Sequence, residues 1–153
     1  MPQRYIKLQK EKEKCATMPT YTGTCYCRAV KYNLDLKTPQ DARTSLCHCH
    51  NCKKAYGNYA ITVKVPLSCF KYTESPTLKK HSMDNGSGKV LNREFCGECG
   101  SFICDYGDAA KNDFRYVLLG TIDEPGVHDE IFKPQGEFYI SQRMKWFPPI
   151  PGG

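Results

Sequence analysis

Cys47-His48-Cys49-His50-Asn51-Cys52 is the densest of three cysteine groups in this chain, with the spacing C-x-C-x-x-C. Cys25-Tyr26-Cys27 precedes it, and Cys96-Gly97-Glu98-Cys99, followed by Gly100, comes after it. Thiolates one or three positions apart can bind one ion from a single turn of backbone, whereas disulfides at these spacings would be strained. Because the three groups hold seven of the ten cysteines, they divide into sets of four and three. The spacing therefore predicts two metal sites.

The two outer groups predict a closed structural zinc site. Its four ligands would be Cys25, Cys27, Cys96 and Cys99, which come from distant parts of the chain. A shared ion would join the beginning of the fold to its later strands. A closed site of this kind contributes on the order of 10 kcal/mol to folding at neutral pH.

The middle group allows three interpretations. In the first, Cys47, Cys49 and Cys52 hold a catalytic zinc that keeps one position open for a substrate. In the second, the site is closed by one further residue from the set His48, His50, Cys69, Cys104 and His128. In the third, the thiols are buried and bind no metal. The open site is favoured because no fourth cysteine follows at matching spacing.

The charge of an open site indicates which substrates suit it. Three thiolates with Zn²⁺ carry a net charge of about −1, which makes the ion a weak Lewis acid toward water but a good partner for a soft ligand. A thiol is therefore the favoured substrate. His48 and His50 alternate with the ligands, so we expect their side chains to point away from the metal.

Length and composition indicate the number of domains, the cellular compartment and the kinds of partner to expect. The 153 residues suffice for one domain, and no stretch approaches the ~20 apolar residues of a membrane span. The first ten residues lack the apolar core of a signal peptide, so we expect a reducing, cytoplasmic compartment and metal-bound cysteines. The formal charge of +6 is scattered, which does not favour a nucleic-acid partner. A homo-oligomer is compatible with the sequence.

Short runs of alternating apolar and polar residues predict a mainly β domain. The expected strands are 29–35, 59–65, 69–72, 89–95, 115–119 and 130–132. Helical patterns are restricted to residues 50–56, ended by Gly57, and to a short piece at 139–144, while 84–88 reads as a turn. Residues 1–19 are a polar extension, the domain is expected at 20–147, and 148–153 form a Pro/Gly tail. We expect Trp146 to pack onto the domain.

The three motifs, in this order, resemble the glutathione-dependent formaldehyde-activating enzyme family, also called the centromere protein V/formaldehyde-activating domain. The matching stretches are Gly23–Cys27, Cys47–Lys54 and Phe95–Ser101, and the resemblance covers about residues 20–147. It implies a β-tent zinc-binding fold of small antiparallel sheets with one or two short helices. It assigns Cys25, Cys27, Cys96 and Cys99 to a structural ion, and Cys47, Cys49 and Cys52 to a catalytic one.

The resemblance further implies a carbon–sulfur lyase that reversibly joins formaldehyde and glutathione into S-(hydroxymethyl)glutathione. Two positions depart from the common pattern: Arg28 stands where members often have Gly, and Lys53-Lys54 stands where they often have Arg-Arg. Lys53 and Lys54 are candidates for binding the glutathione carboxylates. His48, His50 and Tyr56 are candidates for the general acid. The alternatives are a lyase or isomerase for another thiol conjugate and a non-catalytic zinc-binding interaction module.

Overall fold

The computed structural model describes residues 19–124 and 126–151. Within them the chain forms ten β-strands and two short α-helices. The strands are β1 (Thr20–Thr24), β2 (Lys31–Asp35), β3 (Arg43–Cys47), β4 (Ala60–Pro66), β5 (Phe70–Glu74), β6 (Leu78–Asp84), β7 (Val90–Cys96), β8 (Phe102–Gly107), β9 (Phe114–Leu118) and β10 (Glu137–Phe138). The helices are α1 (His50–Tyr56) and α2 (Val127–Glu130). The predicted mainly β fold with one or two short helices is confirmed.

The strands form two sheets. A three-stranded sheet has the order β1-β2-β5, and a seven-stranded sheet has the order β10-β3-β4-β9-β8-β7-β6. Neighbouring strands run antiparallel, except that β10 pairs in parallel with β3. In that pairing Phe138 lies beside Cys47, so the late chain meets the middle cysteine group.

The core lies where the strands bury every second side chain. On β2, Tyr32 and Leu34 are buried while Lys31 and Asn33 are only half-buried, as the alternation predicted. The Tyr32 ring also explains a glycine on the neighbouring strand, because a Cβ on Gly23 would lie 2.0 Å from Tyr32 Cζ. The other large, fully buried apolar residues are Val30, Leu36, Leu46, Val63, Val65, Ile103, Val117 and Phe132.

Helix α1 forms at the residues that the sequence predicted. It begins after Cys49, whose sulfur accepts a hydrogen bond from the Cys52 backbone N–H at 3.4 Å. It ends at Gly57, whose φ of 94° lies in the region that favours glycine. The predicted helical piece at 139–144 is a single 3-10 turn, Ile140–Gln142. No helix among the described residues is long and apolar enough to cross a bilayer.

Two predictions about the late chain were wrong. Residues 130–132 form no strand, because α2 occupies the chain up to Glu130 and Phe132 follows it as a fully buried anchor. The Phe132 ring packs edge-on against Tyr21 with 5.1 Å between centroids. Trp146 does not pack onto the domain either, since 71% of it is exposed. Its neighbour Phe147 takes the inward position, with its ring centroid 4.7 Å from that of Tyr59.

Candidate functional site

The four-cysteine cluster, consisting of Cys25, Cys27, Cys96 and Cys99, lies between the two sheets. Its four sulfurs all lie within 4.8 Å of one another. Cys25 and Cys27 belong to the turn between β1 and β2, whereas Cys96 is the last residue of β7 and Cys99 lies in the turn between β7 and β8. Because β1 and β2 are in the small sheet and β7 and β8 are in the large one, an ion in this cluster would link the two sheets.

The sulfur positions in the four-cysteine cluster fit a tetrahedral thiolate site. The distance between sulfurs is 3.5 Å for Cys25 and Cys27, and 3.7 Å for Cys27 and Cys96. Four sulfurs at the usual 2.3 Å from one zinc would lie about 3.8 Å apart. Neighbouring hydroxyl donors favour the thiolate form of two of the four cysteines: a hydrogen bond from the Ser101 hydroxyl lowers the pKa of Cys99 to about 5, and one from Thr77 lowers the pKa of Cys96.

Arg28 follows the first cysteine pair and has a left-handed backbone, with a φ of 64°. Its N–H donates to the Cys25 carbonyl at 2.9 Å, which closes the turn around the cluster. This conformation costs roughly 1–2 kcal/mol for a residue with a Cβ, whereas glycine adopts it freely. The geometry therefore explains why a glycine suits this position.

Arg28→Gly is expected to stabilise the protein. The relief of strain exceeds the roughly 0.5–1 kcal/mol of extra chain entropy that glycine loses on folding, so we expect a net gain of up to about 1 kcal/mol. Arg28 is exposed, so little packing is lost. Urea unfolding of this variant and of Arg28→Ala provides the measurement. Alanine keeps the Cβ, and equal stability of the two variants would contradict the argument.

The three-cysteine cluster, consisting of Cys47, Cys49 and Cys52, is built from one strand end and one helix start. Cys47 is the last residue of β3, Cys49 is the N-cap of α1, and Cys52 lies in the first helical turn. All three sulfurs lie within 4.8 Å of one another. A hydrogen bond from the Cys52 thiol lowers the pKa of Cys47 to about 6, so one thiol of the cluster ionises readily.

No other His, Cys, Asp or Glu of residues 19–124 and 126–151 joins the three-cysteine cluster. Of the residues predicted to close it, Cys69 and Cys104 are buried in the hydrophobic core, and His128 Nε2 donates to the Ile122 carbonyl. His50 is exposed. Its backbone N–H is bonded to the Gln142 side chain at 3.0 Å.

His48 points away from the three sulfurs into a buried aromatic and acidic environment. It is 1% exposed and packs beside the Tyr59 and Phe147 rings. Its Nε2 lies 3.7 Å from Glu137, which pairs with Arg143 at 3.0 Å. The backbone N–H of His48 donates to the Phe138 carbonyl at 3.0 Å. The segment from Glu137 to Arg143 therefore supports the cysteine loop from behind, which the sequence did not indicate.

A cavity of about 440 Å³, hereafter the cysteine cavity, opens onto the three-cysteine cluster. Its other charged lining residues are Arg43, Lys64, Arg93 and Asp105. Phe138 and Tyr139, both more than half exposed, also line it. The cavity therefore combines three thiols with three cations and one acid.

Two cations of the cysteine cavity face each other across neighbouring strands. Arg43 on β3 is the register partner of Lys64 on β4. Like charges at such positions repel, and the repulsion falls when an anion lies between them. The Lys64 ammonium also lies 3.9 Å from the centroid of the Phe114 ring, which limits its movement. This pair was missed in the sequence because the two residues are twenty-one positions apart.

The acid of the cysteine cavity is held by a tyrosine. Asp105 accepts a hydrogen bond from the Tyr56 hydroxyl at 2.7 Å. Burial raises the pKa of Asp105, and burial likewise raises the pKa of Tyr56. Tyr56 was predicted as a general-acid candidate, but Asp105, which itself lines the cavity, was not.

The two predicted carboxylate-binding lysines do not line the cysteine cavity. Lys53 Nζ donates to the backbone carbonyl of Gln142, so it connects α1 to the late chain. Lys54 is exposed and lines an adjacent cavity instead. Their role toward glutathione stays a prediction.

Three comparisons with known proteins place the chain among relatives. The sequence model of a family described as glutathione-dependent formaldehyde-activating enzyme matches residues 20–142. An uncharacterized lyase of Schizosaccharomyces pombe, C29B12.13, is 28% identical over 99 residues. That match covers 63% of this chain and 65% of the relative's length. The crystal structure of a Rhodobacter sphaeroides protein matches with a TM-score of 0.55 and 21% identity, covering 76% of this chain and 98% of that one.

Proposed function

Because this chain belongs to the glutathione-dependent formaldehyde-activating enzyme family, we propose that it is a zinc-dependent carbon–sulfur lyase acting on glutathione adducts. The first candidate reaction is the reversible formation of S-(hydroxymethyl)glutathione from formaldehyde and glutathione. The observation that carries this proposal is the three-cysteine cluster at the wall of a cavity that also presents Arg43 and Lys64.

The proposal includes two zinc ions per chain, one in each cysteine cluster. The four-cysteine cluster would hold a structural ion, and the three-cysteine cluster would hold a catalytic one. When bound to three thiolates, zinc supplies a position for a soft ligand and lowers the pKa of a thiol there.

Arg43 and Lys64 would bind and orient glutathione through one of its carboxylates. Their facing charges make an anion the favoured occupant between them, and Arg43 can bind a carboxylate in a bidentate manner. Binding at these residues would direct the glutathione sulfur toward Cys47, which lies on the same strand as Arg43. Orientation of this kind raises the effective concentration of the reacting groups.

Asp105 would move the proton during addition. The glutathione thiol loses a proton when its sulfur attacks the aldehyde carbon, and the aldehyde oxygen gains one. A half-buried carboxyl whose pKa is raised, held by the Tyr56 hydroxyl, suits both transfers. No electron is lost or gained overall, so the reaction needs no redox cofactor.

The proposed cellular compartment follows from the proposed substrate. Glutathione and reduced cysteines are characteristic of the cytoplasm, and we propose that the protein acts there on a small-molecule thiol. The domain is proposed to extend over residues 20–147, close to the 20–142 that the family matches. Assembly into a homo-oligomer stays a prediction.

The test of the proposed function is the rate of adduct formation from formaldehyde and glutathione, measured with and without the protein. Thiol addition to formaldehyde is fast without a catalyst, so the expected result is a rate that rises above this background in proportion to protein concentration. Equal rates with and without a protein that carries both metal ions would overturn the formaldehyde reaction.

Arg43→Gln is expected to raise the KM for glutathione about tenfold, because a charge-assisted hydrogen bond to a carboxylate contributes about 1.5–3 kcal/mol. The kcat should change much less, since Arg43 binds a part of the substrate that does not react. Lys71→Gln is the matched control: it removes one exposed positive charge from the three-stranded sheet, away from the cavity. A similar KM increase in both variants would show a general charge effect.

A further inference from the structure

A second cavity of about 630 Å³ lies next to the cysteine cavity. Three residues line both of them: Asn51, Asn85 and Arg93. The second cavity is otherwise mostly apolar, with walls from Ala55, Met83, Phe95 and Phe102. The two cavities therefore meet at three polar side chains and continue into apolar surroundings on one side.

The boundary between the cavities consists of one hydrogen bond and one guanidinium group. Asn51 Nδ2 on α1 donates to the Asn85 backbone carbonyl, in the turn after β6, at 3.1 Å. Arg93 lies on β7, and its Nε and Nη2 are buried without a hydrogen-bond partner among the described residues. A buried donor without an acceptor is destabilising because it has lost its bonds to water, and a ligand oxygen at this boundary would satisfy it.

We propose that the second cavity receives the apolar substituent of a larger aldehyde, so that the substrates include hemithioacetals of glutathione with apolar or aromatic aldehydes. This inference rests on the proposed function and deepens it. In such an adduct the sulfur lies toward the three-cysteine cluster, the carbinol oxygen meets Arg93, and the substituent lies in the second cavity against Met83 and the packed rings of Phe95 and Phe102, whose centroids are 6.1 Å apart. Formaldehyde carries no substituent and would leave the second cavity unused.

The chemistry is the same for the larger aldehyde. The thiol sulfur forms a bond to the carbonyl carbon, the π electrons of the carbonyl move to its oxygen, and the thiol proton ends on that oxygen. The reverse reaction breaks the same carbon–sulfur bond. Nothing is oxidised or reduced.

The walls of the second cavity favour an apolar substituent over the arms of glutathione itself. Both arms of glutathione are charged, and burying a charge against aromatic rings is costly. The facing pair Arg43 and Lys64 offers those charges a better position in the cysteine cavity. Lys54 and His81 also line the second cavity, but both are exposed and stay hydrated.

The experiment is calorimetric binding of S-methylglutathione and S-benzylglutathione to the metal-loaded protein. Both are thioethers that cannot react, so binding is measured apart from turnover. Burial of a phenyl ring at about 25 cal/mol per Å² predicts that S-benzylglutathione binds at least about tenfold more tightly. Equal affinities would overturn the inference and leave the proposed function standing. If neither compound binds and glutathione also fails to bind, both proposals fall.

A matched pair of variants locates the bound ring. Met83→Ser removes an exposed apolar side chain that lines the second cavity. Val90→Ser removes an exposed apolar side chain of the same β6–β7 hairpin, but Val90 does not line the second cavity. We expect Met83→Ser to weaken S-benzylglutathione binding about threefold or more without changing S-methylglutathione binding, and Val90→Ser to change neither. Phe95→Leu, with its fold checked by circular dichroism, should act like Met83→Ser. Unchanged S-benzylglutathione binding in both Met83→Ser and Phe95→Leu would overturn the placement.

Discussion

Cys49→Ser is expected to abolish adduct formation above background, to reduce the metal content from the proposed two ions per chain to one, and to leave the fold intact. Serine removes one of the three sulfurs but keeps a side-chain oxygen at the N-cap of α1, where Cys49 now accepts from the Cys52 N–H. Mutation of a residue that only hydrogen-bonds to a metal ligand typically lowers activity 10–100-fold. Loss of a residue that binds the metal directly should cost more, so we expect the catalysed rate to fall about 100-fold or more.

This prediction is tested by measuring metal content per chain and the rate of adduct formation on the same preparation of Cys49→Ser. Cys69→Ala is the matched control, since Cys69 is a buried cysteine that belongs to neither cluster. The control should keep two ions and full activity. Activity retained in Cys49→Ser with one ion bound would mean that the three-cysteine cluster is not the catalytic site.

Cys99→Ser is expected to have the largest effect on stability. Cys99 is only half-buried, so the variant leaves no core cavity, and its effect reports the loss of a ligand. A closed thiolate site contributes on the order of 10 kcal/mol, and we expect the loss of one ligand to lower the free energy of unfolding by about 4 kcal/mol or more. For a chain of this size that corresponds to a fall of about 8–16 °C in Tm.

Calorimetry with and without a chelator tests the predicted fall in Tm of Cys99→Ser. Glu98→Gln changes the exposed neighbour in the same turn and should leave Tm nearly unchanged. A chelator should lower the Tm of the Glu98→Gln variant much more than that of Cys99→Ser, because the serine variant has already lost tight binding. A Cys99→Ser variant as stable as Glu98→Gln would contradict a structural role for the four-cysteine cluster.

The two clusters were predictable from sequence because each is built from short cysteine groups whose members lie two or three positions apart. A C-x-C or C-x-x-C spacing places two sulfurs near one point whatever the rest of the fold does. The α1 helix was predictable for the same reason, since its N-cap and its terminal Gly57 are local signals. The division into four and three matches the two clusters of sulfurs in the structure.

Five strands were not predicted (β1, β3, β6, β8 and β10), and three of them lack a two-residue alternation. β6 is exposed along nearly its whole length as the edge of the large sheet, and β3 buries three consecutive residues. β10 has only two residues and forms because β3 offers it a free edge. In each case the position of the strand in the sheet decides its burial, and a local pattern cannot report that position.

The sequence by itself determined the two clusters of cysteines, the family and the mainly β class, because these depend on residue type and short spacing. The tertiary structure alone decided what surrounds the three-cysteine cluster. Arg43 faces Lys64 through strand register, Asp105 meets Tyr56 across a sheet and a helix, and Arg93 lies between two cavities. These neighbours come from separate strands, and only the folding of the sheet brings their charges together.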